Sequence, residues 1–113
     1  MGKFAVTESP IHELIGRRWS SLAFSDQPVE SDKLLSVLEA ARWAASSRNE
    51  QPWAFLLTTR EEPKSFEEIL DVLMPANREW AQKASVLILG LAHTQWTREG
   101  TPNRLGLHDL GQA

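Results

Sequence analysis

The chain predicts an α+β fold, and three features of its 113 residues lead there. Stretches with helical apolar spacing alternate with short runs rich in strand formers. Only two of those runs read as strands, Trp53 to Thr59 and Ser85 to Ala92. The second is almost continuously apolar, the pattern of a central strand covered on both faces. Two strands do not make an independently stable sheet, so part of the sheet is expected to be missing or supplied by a partner.

Taken in order, Ser9 and Pro10 predict a helix start, the serine capping and the proline taking the first helical position. Ile11, Leu14 and Ile15 then share one face, and the helix is expected to stop near Gly16-Arg17-Arg18, where cations suit its negative end. Trp19 to Gln27 reads as loop. A second helix runs from Ser31 to about Trp43 and buries Leu34, Leu35, Leu38 and Ala41. The polar stretch Ser46 to Pro52 leads into the first strand. Pro63-Lys64-Ser65 opens a third helix, with Ser65 and Glu68 as a capping box and Phe66, Ile69, Leu70 and Leu73 as its apolar stripe. Pro75 closes it, and Asn77 to Lys83 fits a short fourth helix capped by Asn77. After the second strand, His93 to Pro102 is a polar loop turning at Gly100-Thr101-Pro102. Asn103 to Ala113 opens a last helix that does not complete three turns.

Composition narrows the function classes. The length suits one domain, and a formal charge of −3 gives no reason to expect nucleic acid or an acidic membrane as partner. The longest apolar run, Val86 to Ala92, is strand-sized rather than membrane-spanning. The N-terminus lacks a long apolar leader core, which reads as cytoplasmic. Without cysteine there is no disulfide framework, thiolate chemistry or iron–sulfur ligation, and His12 and His93 stand outside any metal-ligand spacing.

Three segments carry residue types suited to chemistry. Arg17 and Arg18 at a helix end, with Ser20 just beyond, offer rigid donor forks and a hydroxyl that can grip a phosphate or a carbonyl. The plainer reading is a solvated helix terminus complementing its dipole. Ser46, Ser47, Arg48, Asn49 and Gln51 place two hydroxyls, a guanidinium and two amides within six positions, where a well-made turn would also use Ser and Asn. Asn77 is, in the plainer reading, a helix cap. His108 and Asp109 are discounted as a base and its orienting acid, because neighbours on a helix do not face each other.

These segments share a resemblance. Ala45-Ser46-Ser47-Arg48-Asn49-Glu50-Gln51-Pro52-Trp53 resembles the P-S-S-x-N-x-Q-P-W signature of the FMN-dependent nitroreductase family, with Ala45 in place of proline. Arg18 to Phe24 resembles that family's R-x-S-x-R/K-x-F motif, with Leu22 at its second cation. Asn77, seven residues before Ala84, matches the family spacing to the apolar strand. His108 to Ala113 is similar to the start of the family's D-x-G-x-A core helix. The resemblance covers nearly the whole chain, with the motifs in order.

The resemblance implies a nitroreductase-like α+β fold, a mixed and mainly antiparallel sheet flanked by helices, here truncated. Residues 1–113 would be the N-terminal part of a single domain whose C-terminal half is absent. It implies a homodimer with FMN at the interface. Arg17, Arg18, Ser20 and Asn77 would hold the cofactor, joined by Ser46, Ser47 and Asn49 from the opposite subunit, while Arg48 lines the substrate pocket. Hydride would pass from NAD(P)H through FMN to a nitroaromatic, quinone or similar small-molecule acceptor, with no protein nucleophile or metal. Dehydrogenating, dehalogenating or substrate-fragmenting relatives remain open, as does a non-catalytic remnant or interaction module without flavin.

Overall fold

The structure, a computed structural model, describes residues 4–113. Its centre is a pair of antiparallel strands, β1 (Trp53–Thr59) and β2 (Val86–Ala92), in register from Trp53 opposite Ala92 to Thr59 opposite Val86. Aromatic and aliphatic side chains suit both strands. Strand alternation sends Thr58 and Leu87 to one face and Phe55 and Gly90 to the other.

The first face is covered by α3 (Pro63–Asp71), with α4 (Pro75–Ala81) packed beside it. Phe66, Leu70 and Ala81 form the buried cluster there, and Leu73 and Leu87 pack against it. The predicted stripe of α3 is therefore the core-facing one. The other face is met by α5 (Gly106–Gln112), whose Leu110 packs on Gly90. The result is helix, sheet, helix, so β2 does have a helix on each face as predicted. Ile88, Gly90 and Leu91 nonetheless stay exposed.

The remaining helices are α1 (Glu13–Arg17) and α2 (Ser31–Arg42). Several predicted termini move. Helix α1 starts after His12, not Ser9: the His12 carbonyl accepts from Ile15 and Gly16, and its Nδ1 accepts the Leu14 N–H at 3.3 Å. The helix ends at Arg17, within the predicted stretch, with Gly16 buried inside it. Ile11, Leu14 and Ile15 do share a face, but that face is exposed, Ile15 by 65%. On α2 only Ala41 is buried, Leu34 and Leu38 are half-buried, and Leu35 is exposed.

The capping box of α3 does not form. Pro63 takes the first position and draws Ser65 into the helix, so the cap falls on Glu62 without a side-chain bond. The same preference makes Pro75 the first residue of α4, with Met74 as its cap, while α3 has already ended at Asp71. Asn77 is thus an exposed residue of the first turn of α4 and not its cap. An ion-paired clamp from Arg78 to Glu67 and Asp71 holds α4 against α3. Among the described residues no helix is long and apolar enough to cross a membrane.

Two glycines of α5 test how it docks. A Cβ at Gly106 would lie 2.6 Å from the His93 carbonyl oxygen, whereas one at Gly111 meets nothing within 4 Å. Gly106→Ala is expected to cost about 1–3 kcal/mol by forcing backbone apart. Gly111→Ala is expected to gain up to about 1 kcal/mol of helix propensity. Urea unfolding midpoints of the two variants should move in opposite directions; a shift of the same sign would mean that α5 does not approach His93 this closely.

Candidate functional site

The loop between α2 and β1 holds every non-glycine residue with positive φ among the described residues. Arg48, Asn49 and Gln51 have φ of 56°, 54° and 51°, three non-glycine residues in the left-handed region within four positions. Such a conformation costs about 1–2 kcal/mol for an ordinary L-residue and less for asparagine. It persists only where the surroundings over-determine it, which is common at functional sites.

Here the restraints are explicit. Ser46 Oγ accepts the Gln51 N–H at 2.9 Å, closing the loop on itself. The Ser47 N–H donates to Asp109 Oδ2 at 3.0 Å, across 62 residues of sequence. The Thr97 N–H donates to Glu50 Oε1 at 2.6 Å, and the His93 N–H to the Pro52 carbonyl at 2.7 Å. Arg48 lies over the Trp96 ring, 4.6 Å from its centroid, and donates to Glu99 at 3.2 Å. The loop is therefore gripped from α5 and from the 93–102 loop.

That second loop is itself ordered. The Trp96 N–H donates to the Thr101 carbonyl and the Gly100 N–H to the Trp96 carbonyl, both at 2.8 Å, with Gly100 at φ 64° where a glycine fits. Buried Asn103 closes its base, its N–H donating to the Thr94 carbonyl at 2.8 Å.

Asp109 is only 3% exposed, a buried carboxylate accepting the Ser47 amide. Its other oxygen lies 3.3 Å from His108 Nδ1, so the two neighbours do meet, contrary to the helix-spacing expectation. That contact orients a carboxylate already committed to the loop. Sequence reading did not find this role. The available signal was an acid between Gly106 and Gly111 on a helix pressed against a strand, where a carboxylate needs a partner.

Of the other predicted residues, Asn77 stands on α4, toward the opposite end of the strand pair. Phe24 stacks on Trp80 of α4 at 6.2 Å between centroids, and Ser85 Oγ donates to the carbonyls of Ser25 and Gln27. Arg60 Nη1 meets Asp26 at 3.3 Å. These contacts fasten the segment that follows Arg18 and Ser20 beside α4, which carries Asn77. Arg18, Ser20 and Asn77 are all exposed. Arg17 is occupied locally, paired with Glu13 at 2.5 Å and lying over the Phe4 ring. Seven strand residues, a span of about 20 Å, lie between the end of the ladder that α4 precedes and the end that the Ser46–Gln51 loop precedes.

Comparison with known proteins gives this arrangement its class. Residues 15–104 match the model of the Nitroreductase family, and the chain belongs to that family. It is 33% identical over 99 residues to a Streptococcus pyogenes serotype M6 protein named as an NAD(P)H nitroreductase, a match covering 87% of this chain and 48% of that one. It is 41% identical over 51 residues to nitrobenzene nitroreductase of Ectopseudomonas oleovorans, covering 45% of this chain and 22% of that protein. Its fold matches the crystal structure of an oxidoreductase containing FMN with a TM-score of 0.83 and 33% identity, over 95% of this chain and 55% of that one. The α+β fold is therefore of the nitroreductase type, and the chain spans about half the length of the Streptococcus protein and of the FMN-containing oxidoreductase.

Two predictions follow from the grip on the loop. Asp109→Ala leaves the Ser47 N–H without its acceptor in a part-buried place, with an expected loss of about 1–3 kcal/mol and faster exchange of the Ser47 amide. Asp109→Asn keeps an acceptor oxygen and should lose less than half as much. Equal exchange rates in wild type and Asp109→Ala would show that the bond does not hold the loop.

Glu50 titrates below the ordinary glutamate range because the Thr97 N–H bonds its carboxylate. The tie is complete above the ordinary value of about 4.3 and is lost as pH falls through the lowered folded value. The Thr97 amide chemical shift should move with Glu50 protonation as pH falls below the ordinary glutamate value. Glu50→Gln should make it flat over that range; a shift unchanged in wild type would remove the Glu50–Thr97 bond.

Proposed function

We propose that this chain is part of an FMN-dependent oxidoreductase that passes hydride from NAD(P)H to a nitroaromatic, quinone or similar acceptor. Its site would lie between two copies of the chain. The observation that carries the reading is the strained, many-fold restrained loop at Ser46–Gln51, whose Ser-Ser-x-Asn composition is the one that resembles the family's cofactor loop. Asn77 on α4 and the Ser46–Gln51 loop, which flank opposite ends of the strand pair, favour a cofactor completed by a second subunit over one enclosed by a single chain.

The donor set suits FMN. Arg18 can pair with a phosphate or a ring carbonyl, Ser20, Ser46 and Ser47 offer hydroxyls, and Asn49 and Asn77 offer amides that both donate and accept. Asn77 supports this best, since α4 is capped elsewhere and leaves its amide exposed. Arg17 supports it least, because Glu13 and Phe4 already engage it. When bound, such a cofactor supplies the hydride acceptance and delivery. In this reading Arg18 and Asn77 bind its pyrimidine edge and stabilise negative charge there, a preorganised electrostatic role. Ser46, Ser47 and Asn49 orient it from the partner copy, and Arg48 faces the acceptor. A cytoplasmic location fits this chemistry.

The test uses the chain completed by a family C-terminal half. Arg18→Ala and Asn77→Ala should each weaken FMN retention or flavin reduction by about 10- to 150-fold, the worth of a charge-assisted hydrogen bond of about 1.5–3 kcal/mol. FMN titration and NAD(P)H oxidation give the readout. Unchanged affinity together with unchanged oxidation in both variants would end the assignment and leave the reading of a flavin-free interaction module.

A further inference from the structure

One cavity, of about 460 Å³, opens between the Ser46–Gln51 loop and the 93–102 loop and is lined by Arg48, Glu50, Trp96, Thr97, Arg98 and Glu99. Within it the Arg48 guanidinium lies 4.6 Å from the Trp96 ring centroid, a flat cation backed by a flat aromatic surface. The left-handed backbone at Arg48 aims the side chain there, at a conformational cost that a solvated surface arginine has no need to bear.

The carboxylates in the cavity have different commitments. Glu50 is tied to the Thr97 amide at 2.6 Å. Among the described residues Glu99 is held by Arg48 Nη1, at 3.2 and 3.4 Å to its two oxygens, distances longer than a charge-assisted bond normally takes. Arg48 and Glu99 side chains are 65% and 50% exposed, so another anion can exchange with Glu99 on the guanidinium. Arg98 adds a second cation to the lining.

We propose that the Arg48–Trp96 pair is the wall on which a planar aromatic acceptor with an anionic substituent stacks, and that Glu99 is a built-in placeholder for that substituent. The inference builds on the proposed function and names the substrate class of its site. A ligand carboxylate takes the position of the Glu99 carboxylate on Arg48, while its ring lies against the guanidinium–indole layer. A neutral aromatic gains the stacking but has nothing to exchange with Glu99. Trp96 and Glu99 thus become specificity-determining residues, and neither is among the positions that the family resemblance singles out.

Equilibrium dialysis with 4-nitrobenzoate and nitrobenzene as probes tests this on the chain as it stands. Glu99→Gln should tighten 4-nitrobenzoate about two- to fivefold, the range set by releasing an exposed ion pair, and leave nitrobenzene unchanged. Arg48→Gln should remove the preference for the anionic probe, and Trp96→Leu should weaken both. No binding of 4-nitrobenzoate to wild type and Glu99→Gln, or equal binding across the variants, overturns the proposal and leaves the cluster a surface staple. FMN titration of the same variants in the chain completed by a family C-terminal half, followed by flavin absorbance, is read separately. Loss of flavin binding with the probe pattern intact removes the flavoenzyme reading and leaves the aromatic site standing.

Discussion

The antiparallel pairing of β1 with β2 sets the geometry of everything else. Its register puts Leu87 toward α3 and Gly90 toward α5, so a slip of one residue would turn each to the wrong face. It also decides distance. The loop before β1 and the loop after β2 meet at one end through Pro52 and His93. The loop after α1 and the turn before β2 meet at the other, through Ser85. The length of the ladder keeps the Ser46–Gln51 loop apart from the segments that carry Phe24 and Ser85.

At the first end, shape is imposed from a distance. A Ser-Ser-Arg-Asn stretch with three left-handed residues is not what local preference selects. It is kept by partners far away in sequence: Asp109 on α5, then Thr97, Trp96 and Glu99. Each restraint is modest, and the exposed ion pair contributes least. The buried carboxylate at Asp109 contributes most, because neither it nor the Ser47 amide has water as an easy substitute. The loop and the 93–102 excursion are in effect one body with two backbones.

This explains what could be read from residues alone. The run Trp53 to Thr59 shows its strand character in every position and keeps its predicted limits, and the stripe of Phe66, Ile69, Leu70 and Leu73 declares the buried face of α3. Such features are local and periodic. Helices α2 and α3 start where predicted, at Ser31 and Pro63, but the starts of α1 and α4 and the cap of α3 moved because neighbouring residues compete for the cap. Ser9 lost to His12, while Pro63 and Pro75 took first positions and drew Ser65 and Asn77 into the first turns of their helices. The motifs at Arg18–Phe24, Ala45–Trp53 and Asn77 were legible as a family pattern, and the family match bears that resemblance out. What joins Ser47 to Asp109 was not legible, since no local periodicity reports a hydrogen bond across 62 positions.

The left-handed backbone at Arg48 has a consequence for how this site can diversify. If position 48 faces the acceptor, the amino acids available there are filtered first by φ and only afterwards by the ligand. Glycine, asparagine and aspartate pass easily, long unbranched side chains pass at a cost, and valine, isoleucine and threonine are nearly barred. The accessible repertoire is short or flexible and polar, and it lacks branched apolar residues. A mutant library at this position would sample far fewer folded variants than its codons encode. New acceptor preferences that need a branched apolar wall must then arise at position 96, across the cavity.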